Sequence, residues 1–303
     1  MNGAGEKHMK IGFIGLGVMG EPMARHLRAA GHDLALWARR PESAAALVAE
    51  GVPLCATPSD LAARSEVVIT IVTASADVEA LAFGPNGLAE GFAPGAIHVD
   101  MSTIAPATAR ALGARYAERG IGWVDAPVSG GGQGARDATL AIMAGAEDAT
   151  LARVRPLFEV LGKRIVHIGP PGAGQVAKAC NQMIMVSTIQ ACAEAVSLAN
   201  AHGVDVAAVR QALMGGSAGS KVLEVMGAKM VERDFAAGIE ARLHHKDFAI
   251  LMDEARQLGA PLPVAAQTWQ QLNALMATGG AWDDTASLLR MLETMEPREK
   301  KPC

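Results

Sequence analysis

Hydrophobic and polar positions along this chain keep two different rhythms. In the first half, short apolar runs alternate with amphipathic stretches. Residues 9–14 (MKIGFI), 33–38 (DLALWA), 66–72 (EVVITIV) and 96–100 (AIHVD) each lead into a loop and a segment of helical period. Such runs predict parallel strands buried on both faces, and the alternation predicts βα units. A further strand is expected to end at Pro127, and residues 138–144 (ATLAIMA) and 165–168 (IVHI) read as the last strands. Pro170 and Pro171 close this half. Beyond them the period is helical: residues 204–214, 220–230, 245–258, 263–277 and 285–296 predict helices, with no strand pattern between them.

Between the halves lies the longest stretch without a breaker. Gly172, Ala173 and Gly174 interrupt the chain and the next breaker is Gly203, so the residues between predict one helix, roughly 45 Å long at 1.5 Å per residue. No charge falls between Lys178 and Glu194, and apolar or small residues occupy every side of the helical wheel. The expectation is a helix buried on all sides, between two domains or two subunits. Asn181, Gln182, Ser187, Thr188 and Gln190 interrupt a run already short of the roughly 18 to 20 apolar residues of a membrane span, which argues against that reading. Lys178 and Asn181, three residues apart, share one face with Gln182 beside them. A lysine in an apolar helix either extends its amine to solvent or serves a site.

The run 9–14 is followed at once by Gly15, Leu16, Gly17, Val18, Met19 and Gly20, and then by a helical pattern that ends at Gly31. Strand, GxGxxG and helix in that order predict a dinucleotide site. Gly15 permits the tight turn, Gly17 lets the pyrophosphate approach the backbone, and Gly20 allows helix to pack on strand. The helix N-terminus supplies amide donors to the phosphates. At the end of the second strand, where an acid would bind the ribose 2′-hydroxyl in an NAD enzyme, stand Ala38, Arg39 and Arg40. Arginines there suit a 2′-phosphate, so NADP is favoured over NAD. The fold class expected is therefore α/β: a Rossmann-type doubly wound sheet over 9–172, joined by the long helix to an all-α domain over 173–296.

A chain of 303 residues fits two domains of about 150. Half of the residues are hydrophobic but only 4% are aromatic, so small side chains must do the packing. A net charge of −4 with no basic stripe argues against nucleic acid or an anionic membrane as partner. Cys55, Cys180, Cys192 and Cys303 fall into no metal or redox spacing, and no signal peptide is read, which predicts reduced thiols in a cytoplasmic protein. Residues 1–8 and 297–303 are polar and read as loose tails.

Ligands of open α/β sheets bind beyond the carboxyl ends of the strands, so residues 73–75, with Thr73, and 102–106, with Thr103, are candidate cofactor and substrate loops. Taken alone, Ser102 or Thr103 would serve as a helix N-cap. After the strand that ends at Pro127 come Val128, Ser129, Gly130, Gly131 and Gly132, whose consecutive amides could form a nest for a carboxylate, with the Ser129 hydroxyl as a further donor. The pair His244 and His245 raises the question of a metal. Adjacent histidines on a helix face apart, and no acidic cluster is spaced for them, so no metal site is expected.

Taken together, GFIGLGVMG near the start, DMSTIAPAT from Asp100, DAPVSGG from Asp125, GAGQVAKACNQM from Gly172 and HKD from His245 resemble the β-hydroxyacid dehydrogenase family, in order and over nearly the whole chain. The resemblance implies a Rossmann domain, a long interdomain helix and an all-α domain that forms a homodimer or homotetramer. It implies that Lys178 is the catalytic acid/base and that Asn181 with Ser129, Gly130 and Gly131 hold a small carboxylate substrate. Thr103 and Lys246 would touch the cofactor or close the site. GGSAGSKVLE and RLHHKDF are similar to the branch that reduces tartronate semialdehyde. Some residues depart from the pattern. Thr73 stands in place of a proline and Ala138 and Ala146 in place of glycines, changes expected to affect local packing, whereas Glu240 and Arg242 bear on the substrate. The alternatives are a 3-hydroxyisobutyrate dehydrogenase, another semialdehyde reductase, or a non-enzymatic dinucleotide-binding module, whose signature would be loss of the lysine.

Overall fold

The seven expected runs become strands in the computed structural model, which describes residues 8–295, the one expected to end at Pro127 stopping at Asp125, and the pair Val128–Ser129 adds an eighth. They are β1 (Lys10–Ile14), β2 (Asp33–Trp37), β3 (Val67–Thr70), β4 (Ile97–Asp100), β5 (Gly122–Asp125), β6 (Val128–Ser129), β7 (Leu140–Gly145) and β8 (Gly162–Gly169). The sheet runs β2-β1-β3-β4-β5-β7-β6, with β8 added on β7. From β2 to β5 every pair is parallel, β7 is antiparallel to β5 and β6, and β8 runs parallel to β7.

The uninterrupted apolar runs follow from helices on both faces. One face packs Phe13, Leu36 and Val99 against Met23, Leu27, Val154, Leu157 and Phe158. The other packs Ile14 and Val68 against Val78, Leu88, Leu112 and Tyr116. Strand order reverses between β1 and β3, which places the turn after β1 at the open carboxyl edge where such sheets bind ligands.

Contacts divide the chain into one unit that ends at Lys178 and a second that begins at Ala179, six residues beyond the boundary expected at 172/173. The first turns of the long helix, Ala173–Ala201, are hydrogen-bonded to β5, β6 and the loop after β4, and so count with the sheet. The second unit is helical. Val206–Met214, Lys221–Glu232, Ala241–Leu258, Pro263–Ala277 and Leu288–Met295 surround a core that includes Val186, Ile189, Phe248, Leu251 and Leu272. Among its described residues no strand longer than the isolated bridge Glu240–Asp284 occurs. The helix expected from His245 begins four residues earlier, at Ala241, and the last one is described to Met295. Residues 1–7 of the expected N-terminal tail, and all of 297–303 with Cys303, lie outside the described residues.

The long helix is not covered on every side by this chain alone: Val176, Ile184 and Leu198 are 46%, 64% and 63% exposed. Its length and composition would also allow a membrane crossing. Nevertheless it buries Gln175, Lys178, Gln182 and Gln190, and hydrogen bonds to protein groups satisfy the first three side chains, as in a core helix. One expectation is corrected at Ala138, where alanine holds φ at +52°. The change from glycine therefore adds backbone strain as well as altering packing.

Candidate functional site

The turn after β1 is built by what its glycines lack. Gly15 has φ +101°, and a Cβ there would lie 2.0 Å from the Ile71 carbonyl oxygen. A Cβ on Gly20 would lie 1.9 Å from the carbonyl oxygen of Gly15. Gly17 differs, since a Cβ there would meet nothing within 4 Å, which leaves its backbone open to a ligand. The helix Gly20–Ala29 starts at this point with Met19 at its cap, and Val18 is exposed.

A cavity of about 420 Å³ opens against this turn, lined by Gly15, Leu16, Gly17, Arg39, Arg40, Thr73 and Asp77 among others. A space of that size beside an unobstructed glycine backbone fits a dinucleotide. No acid stands at the end of β2. Arg39 donates instead to Asp77 at 3.2 Å across the cavity, and Arg40 is exposed, with its carbonyl accepting from the Ser43 hydroxyl. Asp77, four residues beyond Thr73, carried no signal in the sequence, because it meets Arg39 only in the fold.

Behind the cavity a buried polar chain holds the loops in register. Ser102 does not cap a helix as expected. Its hydroxyl donates to Asp100 Oδ1 at 2.6 Å and accepts from the Val72 amide at 2.8 Å. The helix Pro106–Ala117 is entered from Ala105, whose N–H goes to the Ser75 hydroxyl. Thr70 Oγ1 also donates to Asp100, so its remaining partner His98 Nε2 must be the donor, and His98 Nδ1 accepts from Tyr116. Complete burial pushes the His98 imidazole down to about 3, consistent with a neutral ring, and pushes the Tyr116 hydroxyl up.

Residues 129–132 are more ordered than an open nest. Val128 and Ser129 form β6, Gly130 at φ +135° turns the chain, and Gly131–Arg136 is a short helix. A Cβ on Gly132 would lie 2.8 Å from Val18, so the glycine turn and this segment are neighbours. Lys178, only 7% exposed, donates from Nζ to the Val128 carbonyl at 2.8 Å, next to Ser129. The structure thus brings Lys178, residues 128–132 and the glycine turn together within the first unit. Asp125, at the end of β5, is fully buried. Burial pushes its carboxyl up to about 7 against the opposing amides of Gly172 and Gln175, with the nearby Asp100 adding to the rise.

In the second unit Asn181 donates to Gln182 at 2.9 Å, Gln182 donates to Asp247 Oδ2 at 2.6 Å, and Lys246 meets Asp247 Oδ1 at 2.9 Å. The two neighbouring histidines point apart. His244 bonds Thr285 at 2.7 Å, while His245 bonds Asn273 and stacks on Trp269 at 4.4 Å. Glu240 pairs with Arg242, which lies over Trp282.

Known proteins resemble this chain over most of its length. Residues 10–169 match the NAD binding domain of 6-phosphogluconate dehydrogenase, and residues 172–292 match the NAD-binding domain of NADP-dependent 3-hydroxyisobutyrate dehydrogenase. The chain is 41% identical over 287 residues to 2-hydroxy-3-oxopropionate reductase of Escherichia coli (strain K12), covering 95% of this chain and 98% of that one. The chain belongs to the β-hydroxyacid dehydrogenase family. Other members lie nearly as close. The NAD-dependent L-serine dehydrogenase of Pseudomonas aeruginosa is 35% identical, with 94% and 98% covered. The Mycobacterium tuberculosis 3-hydroxyisobutyrate dehydrogenase, solved with L-serine, superposes with a TM-score of 0.87 at 31% identity, with 94% and 99% covered. This family member is accordingly an NAD(P)-dependent oxidoreductase.

What such an oxidoreductase needs beyond its cofactor is a proton donor at the carbonyl oxygen and an anchor for the acid group. An ammonium beside a serine hydroxyl and glycine amides can provide both. The sequence reading singled out these groups and set Gln182 beside Lys178 and Asn181, but gave no role to Asp77, Gln175 or Asp247. Gln175 and Gln182 carried one advance signal, as polar side chains in a helix otherwise apolar enough to be core, whereas Asp77 and Asp247 carried none.

Proposed function

We propose that the protein is a cytoplasmic NADP(H)-dependent reductase that converts 2-hydroxy-3-oxopropionate (tartronate semialdehyde) to glycerate, as a homodimer or homotetramer, with Lys178 as general acid. The observation that carries the reading is the buried Lys178 amine on the Val128 carbonyl beside Ser129. The similarity to the E. coli reductase supports the choice of substrate.

In this reading, residues 15–20 hold the pyrophosphate, and Thr73, Thr103 and Lys246 add contacts to the cofactor. Arg40, with Arg39, holds the 2′-phosphate. The nicotinamide, when bound, supplies the hydride. Ser129 and the Gly130 and Gly131 amides hold the substrate carboxylate. As the carbonyl carbon gains the hydride, Lys178 stabilises negative charge on the oxygen and then transfers a proton to it, leaving a neutral amine. Asn181, one turn further on, has its amide N–H committed to Gln182 and offers its carbonyl oxygen to the substrate hydroxyl or to the ammonium.

Glu240 and Arg242 depart from the tartronate semialdehyde branch, so the test compares substrates. Initial rates with NADPH and NADH are measured on tartronate, succinic and methylmalonate semialdehydes and glyoxylate, with the reverse assay on glycerate and 3-hydroxyisobutyrate. Fastest turnover of tartronate semialdehyde with NADPH is expected. Preference for 3-hydroxyisobutyrate would move the protein to the sibling activity. Tight cofactor binding with no turnover at all would leave a non-enzymatic binding module.

A further inference from the structure

The long helix takes its N-terminal anchor from a residue far away in the chain. Asp125 accepts the Gly172 amide on Oδ1 at 2.6 Å and the Gln175 amide on Oδ2 at 3.0 Å, so one carboxylate satisfies two of the opening N–H groups. The space is cut to fit it. A Cβ on Gly145 would lie 2.6 Å from Oδ1, and one on Gly174 would lie 2.9 Å from Oδ2.

Gln175 carries the connection onward. Its side-chain oxygen accepts from the Ile104 amide at 3.1 Å, and its side-chain nitrogen donates to the Ser102 carbonyl at 2.9 Å. Because a backbone N–H can only donate and a carbonyl can only accept, the orientation of this amide is unambiguous. The two bonds bracket Thr103. Lys178 stands one turn beyond Gln175 on the same side of the helix, and its amine returns to Val128, three residues after Asp125. The opening turns of the helix are therefore tied at three points: to the end of β5, to β6 and to the loop after β4.

We infer that Asp125 and Gln175 are positioning residues, which fix where the long helix starts and bind its first turn to the 102–104 loop, so that Lys178 and Thr103 are held as one rigid group. The inference rests on Lys178 being the proton donor. Neither residue touches substrate; each acts through the group it holds.

The test uses Asp125→Asn and Gln175→Met in the full-length protein. Asparagine has one acceptor oxygen where the aspartate has two, and methionine keeps the length of glutamine without its hydrogen bonds. Amide hydrogen exchange of the cofactor-free protein is followed by mass spectrometry over residues 102–106 and 172–178. Each variant is expected to accelerate exchange in both segments together, about tenfold or more, since each loosens the shared tie. Kinetics at a temperature well below each variant's Tm should show kcat reduced by roughly 10- to 100-fold, the penalty of misplacing a reacting group by about 1 Å. The NADPH Kd should rise by less than kcat falls, within about tenfold, because the loosened loop carries one cofactor contact at Thr103 while the glycine turn is untouched.

Acceleration in only one of the two segments in both variants, or in neither, would overturn the inference. So would kcat within twofold of wild type for both. If the wild-type protein turned over none of the substrates, the reading of Lys178 would fail, while the paired exchange response would still decide whether the tie exists.

Discussion

Two buried titratable groups in the first unit pull its stability in opposite directions as pH changes, and replacing them singly separates the two slopes. The Asp125 carboxyl, ordinarily near 3.8, is pushed up to about 7. A folded value above the unfolded one means a contribution that is full below about pH 4 and is lost as pH rises through 7. Between about pH 5.5 and 8.5 that loss amounts to about 2 kcal/mol. His98, ordinarily near 6.5, is pushed down to about 3. Its contribution is present above about 6.5 and is lost as pH falls, so over the same window rising pH restores about 1.4 kcal/mol. The wild-type protein should show little net slope from the pair.

Asp125→Asn removes the falling component, and its unfolding free energy relative to wild type should climb by about 2 kcal/mol across the window. His98→Gln keeps a donor for Thr70 and an acceptor for Tyr116, and relative to wild type it should fall by about 1.4 kcal/mol. Urea unfolding at the two pH values, at constant ionic strength, measures both, and taking differences from wild type cancels the groups all three proteins share. A His98→Gln protein with the same pH slope as wild type would refute the reasoning, because the imidazole would then be titrating normally in the fold.

Three further outcomes follow from the site and its surroundings. Lys178→Met should lower kcat by about 10²- to 10⁴-fold with NADPH affinity nearly unchanged in a fluorescence titration; a loss within a few-fold would remove Lys178 as proton donor. Arg40→Ala should raise the NADPH Kd roughly tenfold or more and leave NADH within about twofold, the mark of one charge-assisted contact to the 2′-phosphate. Equal losses for both cofactors would show that Arg40 does not read that phosphate. Ala138→Gly should stabilise the protein by about 0.5 to 1 kcal/mol in urea unfolding, by relieving a left-handed backbone that alanine tolerates poorly.

Seven of the eight strands, the glycine turn and the change from βα units to helices were legible in the sequence, because each rests on a short-range period or on local stereochemistry. The contact between Gly20 and the Gly15 carbonyl shows how tightly that local code is written. The long helix was legible in extent, but not in which of its faces this chain covers. An apolar wheel reports what a helix can bury, whereas exposure at Val176, Ile184 and Leu198 depends on which neighbours arrive. The bonds that order the site were not legible. Asp125 lies 47 residues from Gly172, Gln175 lies 73 from Ser102, and Arg39 lies 38 from Asp77. Such partners leave no periodic trace, since a side chain's hydrogen-bonding capacity is local but the group that satisfies it is chosen by the packing of the whole sheet. The sequence by itself determined the elements and the kind of chemistry they carry; the tertiary structure alone decided which polar groups meet and so where Lys178 is held.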